Sequence, residues 1–414
     1  MANKLFPESW AHTPACEYCD SVRDGTHDTP KPLDEGYPLV TSKFLRNGKV
    51  HVEEAYYISK EDFDAINARS KVEPWDVLMS MIGTIGELAI VREEPEYAIK
   101  NIALFKCGNP LKAEWLYYVL SSPQGRALLK SAERGTTQKF ISLQQLRLMK
   151  IPVPPPSTMA AITEILSTID AKIEHNNELI KMLEEQAQLV YDYWFVQFDF
   201  PDENGKPYKS SGGKMVWNEV LKREIPEGWS ARPLFDVASV LYGYPFKTEL
   251  FTENSSDLPI IRIRDILENT FSAYSREPIH EKYLTHRGDL LIGMDGNFHL
   301  NYWHRDGDGV NQRVVRIRSS APTVSNIQLK LELTPYIKMR EANVTRSTVG
   351  HLSDKDFKER YILVAAESAG FNPAKVLDAL LDRMTSLVAE TQKLAKQRDF
   401  LLPLLMSGQV KVAE

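Results

Sequence analysis

Three groups of side chains in this 414-residue chain have types and spacings that chemistry uses. Cys16 and Cys19 form a CxxC, the spacing of half a zinc site or of a redox pair. A closed zinc site needs four ligands, and the chain offers one further thiol, Cys107, with no second CxxC and no HxxxH. "DGNFHLNYWHRDGDG" gathers Asp295, His299, His304, Asp306 and Asp308, but glycine and aspartate at that density more often mark a turn. "RDGTHDTPK" sets His27 among acids in what reads as a polar loop. The chain has no GxxxxGK[ST], no GxGxxG, no HExxH and no GxSxG. No catalytic residue, metal ligand or cofactor is therefore assigned, and an enzyme acting alone is disfavoured.

The elements that would position any binding residue come from a globular chain. A hydrophobic content of 43% over this length allows two or three domains with cores of their own. Three cysteines make no disulfide framework, which fits a reducing compartment. The start, "MANKLFPESW", lacks a basic stretch followed by an apolar one, and no membrane-length apolar run occurs, so a cytoplasmic protein is expected. The formal net charge of −6 does not advertise a nucleic-acid binder, although local patches can differ from the whole.

The chain repeats once. Pro7, Glu8, Trp10 and Pro14 in "FPESWAHTPACEYC" fall on Pro226, Glu227, Trp229 and Pro233 in "IPEGWSARPLFDVA". "WDVLMSMIG" (75–83) matches "GDLLIGMDG" (288–296), Asn101 matches Asn311, and Ser142 matches Ser353. Matches in one order, with offsets that drift as loop insertions would make them drift, predict two copies of one fold. Cys16 and Cys19 fall on Phe235 and Ala238, which predicts that they are small core residues.

Each copy ends in a helical pattern. After the proline run of "KIPVPPPSTMAAI", a stiff extended exit, Ile162, Ile169, Asn176, Leu183 and Val190 recur every seven residues. Leu377, Met384, Thr391, Arg398 and Leu405 do the same after the second copy. Ser157 or Thr158 is expected to cap the first helix, and Pro373 to begin the second. Sustained heptads predict a helical seam, with Asn176, Thr391 and Arg398 as polar intrusions that fix register. The plainer alternative is two amphipathic helices packed on their own domains. The predicted parts are residues 1–157 and 225–372 as two similar domains, 158–198 and 373–408 as spacer helices, and 199–224 as a surface connection. Segment 199–224 is expected to dock through Val216 and Trp217.

Two similar modules on a rigid spacer suit a target with two related half-sites, and duplex DNA is the commonest such target. Arg126, Lys130, Arg134, Lys139, Arg147 and Lys150 outnumber the one acid between them, Glu133, and Lys43, Arg46 and Lys49 cluster in "SKFLRNGK". The second copy offers Arg262, Arg264, Arg313, Arg316, Arg318, Lys338, Arg340 and Arg346. Such side chains can contact phosphates or guanine edges, although a charge run taken alone is more often a solvated face.

In order, "FPESW" and "IPEGW", "RDGTHDTPK" with "GYPLVTSKFLRNGKV", "GDLLIGMDG" with "NQRVVRI", "IPVPPPSTMAAITEILSTIDAKIEHNNELI" and "LLPLLMSGQVKV" resemble the DNA-specificity subunit of type I restriction-modification systems over almost the whole length. The resemblance implies an α+β fold: two similar mixed α/β target-recognition domains separated by two long antiparallel coiled-coil helices, a pseudo-twofold internal repeat. It implies that each domain reads one half of a split double-stranded DNA sequence. It further implies that the helices bind two methyltransferase (modification) subunits, which carry S-adenosylmethionine, and that restriction subunits supply ATP-driven translocation and cleavage. The second copy departs from the family's proline-rich helix entry, with "ILVAAESAGFNPAKVL" in its place.

Loop polar residues are the candidates for DNA contact, because loops enter grooves while a scaffold stays rigid. In the first copy they are Arg23, Thr26, His27, Lys43, Arg46, Arg134, Thr136, Thr137, Gln138 and Lys139, and in the second Lys247, Arg262, Arg264, Asn297, Gln312, Arg313 and Arg346. The competing readings are a protein-binding scaffold with two repeat domains and a self-sufficient DNA-modifying enzyme.

Overall fold

The computed structural model describes residues 5–135, 139–343, 350–366 and 372–410. It divides into two compact units, one running to Lys172 and taking in the chain from Leu394 onward, the other comprising Ile173–Lys393.

In the first unit, strands order as Ser21–Asp24, Ile102–Lys106, Asp76–Ser80 and Leu88–Ile90, all antiparallel. Tyr37–Thr41 pairs in parallel with Ala98–Lys100, and Ala11–Pro14 pairs antiparallel with Lys150–Val153. Every residue of Asp76–Ser80 is buried, which its apolar run requires once helices cover the sheet. The helix Pro110–Ser121 starts where it does because the Asn109 side chain accepts from the Lys112 amide and proline occupies the first turn. It buries Trp115, Leu116 and Val119, and the Trp115 indole donates to the Pro152 carbonyl at 2.8 Å.

The second unit repeats this plan. Its sheet orders Ala238–Tyr242, Val314–Ser319, Leu290–Gly293 and Leu300–Tyr302, with Leu258–Ile261 parallel to Gly309–Val310 and Ser230–Pro233 antiparallel to Tyr361–Val364. Ser142 and Ser353, matched in sequence, both form capping boxes, with Gln145 and with Asp356.

The matched aspartates explain why the "WD" and "GD" segments align. Asp76 is buried beside Lys106, Nζ to Oδ2 2.9 Å, and Asp289 is buried under a bidentate Arg318 at 2.6 and 2.7 Å. Each carboxylate also closes the turn before its strand, accepting the amide of Glu73 (2.8 Å) or of His286 (2.7 Å). That turn needs a left-handed residue, and it is Gly288 (φ 86°) in one copy and Trp75 (φ 68°) in the other. A non-glycine there costs about 1–2 kcal/mol, offset here by the packing of Trp75 against the core. Arg316 and Arg318, expected among the phosphate contacts, are thus taken up by the sheet: Arg316 is buried, donating to the Lys282 and Leu284 carbonyls.

One match shifts by a residue. Thr26 bridges to Lys100 where Tyr244 bridges to Asn311, so the counterpart of Asn311 is Lys100 and not Asn101. The chain approach before each bridge admits only glycine, since a Cβ on Gly25 would lie 2.3 Å from the Ile99 carbonyl oxygen and one on Gly243 2.1 Å from that of Asn311. Cys16 is exposed and only Cys19 is a core residue, because they sit on different faces of the short helix Ala15–Tyr18 and its exit.

The first long helix spans Pro156–Tyr191 and the second Pro373–Met406. Ser157 and Thr158 lie inside the first turn rather than capping it, since proline can occupy a position whose amide has no helical partner. Within the first unit, Ile162 and Leu166 share a core with Leu402, Leu405 and Met406. Arg398 there donates to Asp170 at 2.9 Å, and the Tyr118 hydroxyl donates to the other Asp170 oxygen at 2.7 Å. Within the second unit, Leu183, Ala187 and Val190 share a core with Leu377, Leu380, Leu381 and Met384, and Asn176 donates to Glu390 at 3.1 Å. Ile162, Asn176, Leu377, Met384 and Leu405 are buried, and Ile169, Leu183, Val190, Thr391 and Arg398 are half-buried.

Segment 199–224 is folded, not a plain connection. Phe200 stacks on Tyr208 and on Trp229, at centroid distances of 4.7 and 4.8 Å, and Met215–Asn218 pairs with Arg223–Pro226 in a hairpin. Val216 packs on the core while Trp217 is exposed, as alternation along a strand demands.

Beside this hairpin a cavity of about 270 Å³ is lined by Val220, Leu221, Tyr336, Arg360 and Glu332. Burial pushes the Glu332 carboxyl up to about 7, against hydrogen bonds from the Gln328 side chain and the Leu363 amide. A raised acid means that folding takes up a proton, so this group's contribution is most favourable below its ordinary range and worsens as pH rises to about 7. The stability of Glu332→Gln relative to the parent should therefore rise between pH 4.5 and pH 8, by about 2 kcal/mol since the cavity lets water reach part of the carboxyl. Urea unfolding at both pH values measures it, and a pH-independent difference contradicts the assignment.

Candidate nucleic-acid interface

The duplicated scaffold lets the candidate residues be compared position by position. In each copy the central parallel strand, Tyr37–Thr41 or Leu258–Ile261, runs into a 3-10 turn, Ser42–Phe44 or Ile263–Asp265. The strand registers fix the equivalence, because Val40 lies opposite Ile99 and Ile261 opposite Val310. Lys43 and Arg264 consequently occupy the same position of that turn. Both are exposed. Lys43 lies over the Phe44 ring at 4.5 Å, and Arg264 has no hydrogen-bond or ion-pair partner among the described residues. Equal placement was hidden in the sequence because the loops before and after the turn differ in length between copies.

Several other candidates are already engaged. Arg23 donates to the Arg69 carbonyl at 2.9 Å and so fastens the helix Lys60–Ser70 to its strand. Arg46 pairs with Glu54, and Arg262 holds the Ser272 hydroxyl (3.0 Å) and carbonyl. Arg313 meets Asp295 at 3.2 Å, and Asp295 also holds His351 at 2.6 Å. Lys139 pairs with Glu133 at 2.9 Å, and Arg134 bridges backbone to backbone with Phe140. His27 is exposed between Asn101 (2.8 Å) and Asp24 (3.1 Å), with Thr26 accepting from the Asp28 amide. In the second copy the Lys247 amide donates to Glu277 at 2.9 Å while its side chain is exposed, as are Asn297 and Gln312. Thr136, Thr137, Gln138 and Arg346 lie outside the described residues.

The loops gather into two groups in each copy. One joins the segment after Gly25 or Gly243 to the 3-10 turn. The other joins Gly83, whose amide donates to the Lys139 carbonyl, or Gly296, whose amide donates to the Gly350 carbonyl. His351 and Lys100 belong to these groups and were not among the candidates; the signal for Lys100 was the one-residue shift described above. Among the described residues only His51, Glu53 and Glu54 bring three possible metal-ligand atoms together, and there His51 is bound to Glu53 (3.1 Å) and Glu54 to Arg46, so the cluster is closed on itself.

Two copies of one scaffold thus each present an exposed cation on the same turn. Residues 28–185 match the family model described as type I restriction modification DNA specificity domain. It is similar to the type I restriction enzyme MjaIX specificity subunit of Methanocaldococcus jannaschii, with 24% identity over 82% of this chain and 78% of that protein. It is also similar to the putative MjaX specificity subunit of the same organism, with 22% identity over 98% and 95% of the two chains. Its fold is that of the type I restriction-modification S subunit from M. genitalium, with a TM-score of 0.57 and 18% identity over 98% of each chain.

Proposed function

We propose that this chain is the DNA-recognition subunit of a type I restriction-modification complex, itself non-catalytic, and that it reads a bipartite double-stranded target with one α/β unit on each half. The observation that carries this reading is the duplicated sheet with a cation at the same turn of both copies, in a chain whose residues 28–185 match the DNA-specificity domain model. The two long helices act as an antiparallel spacer that sets the distance between half-sites; the pairs Asp170 with Arg398 and Asn176 with Glu390 support opposite chain directions. Two methyltransferase subunits dock on the helices and bring S-adenosylmethionine, and restriction subunits bring ATP, so this chain holds no cofactor. No helix among the described residues is long and apolar enough to cross a membrane, and action on DNA in the cytoplasm fits.

Selection from randomised duplexes, with the chain alone and with its modification subunits, tests the reading. The assembled complex should enrich two defined blocks separated by an unread segment of constant length, and lose them steeply as salt rises. Enrichment of nothing would favour a protein scaffold, and methyl transfer or cleavage by the pure chain would favour an enzyme.

A further inference from the structure

Besides the apolar core that Leu377, Leu381 and Met384 share with the second unit, one polar side chain, that of Arg287, ties its sheet to the second long helix. It sits in the turn His286–Asp289, whose shape is set by the Asp289 carboxylate accepting from the His286 amide and by left-handed Gly288. Glycine lets the turn press on the helix: a Cβ there would stand 3.3 Å from a Leu381 methyl. From this perch the Arg287 guanidinium reaches across one turn of the helix. Its Nε donates to the Thr385 hydroxyl at 2.8 Å, and its Nη2 donates to the Asp382 carbonyl and, at 2.7 Å, to the Ser386 hydroxyl. Thr385 is buried, so this end of the contact is shielded from water.

Among the described residues the first copy shows no such contact from the equivalent turn position. Pro74 stands where Arg287 does, one residue before the left-handed Trp75, and the first unit uses Tyr118, Asp170 and Arg398 instead. The asymmetry marks Arg287 as an addition to the shared scaffold rather than a requirement of it.

Building on the bipartite reading above, we propose that Arg287 is a positioning residue for spacer discrimination: it fixes the angle at which the second reader leaves the helix and thereby limits which half-site separations the complex accepts. Arginine suits this role because a planar fork with several donors fixes an angle, where a single lysine contact would act as a pivot. Other contacts keep the unit on the helices when the fork is lost, among them Lys330 with Glu184 at 3.7 Å and the Gln392 side chain donating to the Asn269 carbonyl. Truncation should therefore loosen the angle without unfolding the unit.

The test is methylation by the assembled complex on a duplex library that carries both preferred half-sites at every separation within a few base pairs of the preferred one. Arg287→Ala should broaden the accepted separations, with neighbouring spacers rising roughly tenfold relative to the preferred one, since small errors in placement weigh heavily on a positioned reaction. Base preferences within each half-site should stay as in the parent. Arg287→Lys should fall between, and the double replacement Thr385→Val with Ser386→Ala, made from the helix side, should reproduce the alanine effect even if Arg287→Ala folds poorly. An unchanged spacer profile in both alanine and double variants overturns the assignment, and so does loss of base preference in the second half-site. If the parent complex itself selects no bipartite site, the proposed function fails and the role of Arg287 with it; if the parent selects normally and the variants match it, only the role of Arg287 fails.

Discussion

Asp289→Ala should lower the unfolding free energy of the second unit by about 3–5 kcal/mol, the range for removing one partner of a buried ion pair. The loss has three parts. Arg318 loses both of its carboxylate hydrogen bonds, Arg316 is left 7% exposed with its nearest carboxylate, 3.9 Å away, removed, and the His286 turn loses its closure. Asp76→Ala in the first copy should cost less, because Lys106 keeps a second carboxylate partner, Glu73, at 2.7 Å. Urea unfolding of each variant of the full chain, followed by tryptophan fluorescence, gives both numbers. A negligible cost in both copies would show that the pairs are decoration on the turn rather than the anchor of the sheet.

Lys43→Ala and Arg264→Ala should each weaken specific binding by the assembled complex by about 1–3 kcal/mol, and each should act on a different half-site. Equivalent turns in two copies of one scaffold face equivalent parts of their targets, so the two losses should be similar in size and additive in the double variant. A base contact relaxes one position of one half-site, whereas a phosphate contact weakens all sequences alike and lowers the salt slope by about one per residue. Arg262→Ala, by contrast, should change stability more than binding, since that guanidinium is spent on Ser272. Competition binding on duplexes randomised in one half at a time measures all three. Silence of both Lys43→Ala and Arg264→Ala would remove the 3-10 turn from the interface.

Much of the scaffold could be read before any coordinates, for identifiable reasons. The matched serines Ser142 and Ser353 and the paired "WD" and "GD" segments are positions where a helix start or a buried charge admits few residue types, so their spacing survives in sequence. Both helices were visible because seams repeat every seven residues, and the second begins at Pro373 as its position suggested. What escaped notice depends on contacts between distant segments. No local pattern tells that Arg313 meets Asp295, that Arg316 is buried, or that Arg23 serves a helix carbonyl, and an exposed arginine reads the same as an engaged one. The equivalence of Lys43 and Arg264 required the strand register, because loops of unequal length hide it. Segment 199–224 looked like a connection because its turn residues are dense, while the aromatics that fold it, Phe200, Tyr208 and Trp229, are far apart and without period.

The central claim is that two like readers, held at a set separation, each recognise half of one duplex target. Mapping every methylated adenine in DNA modified by the complete complex tests it most directly. The account predicts modified adenines in two defined blocks with one constant number of unread base pairs between them, and a variant at Arg264 that blurs a single block. Modification at one unbroken sequence, or at blocks whose separation wanders freely in the parent complex, would contradict it.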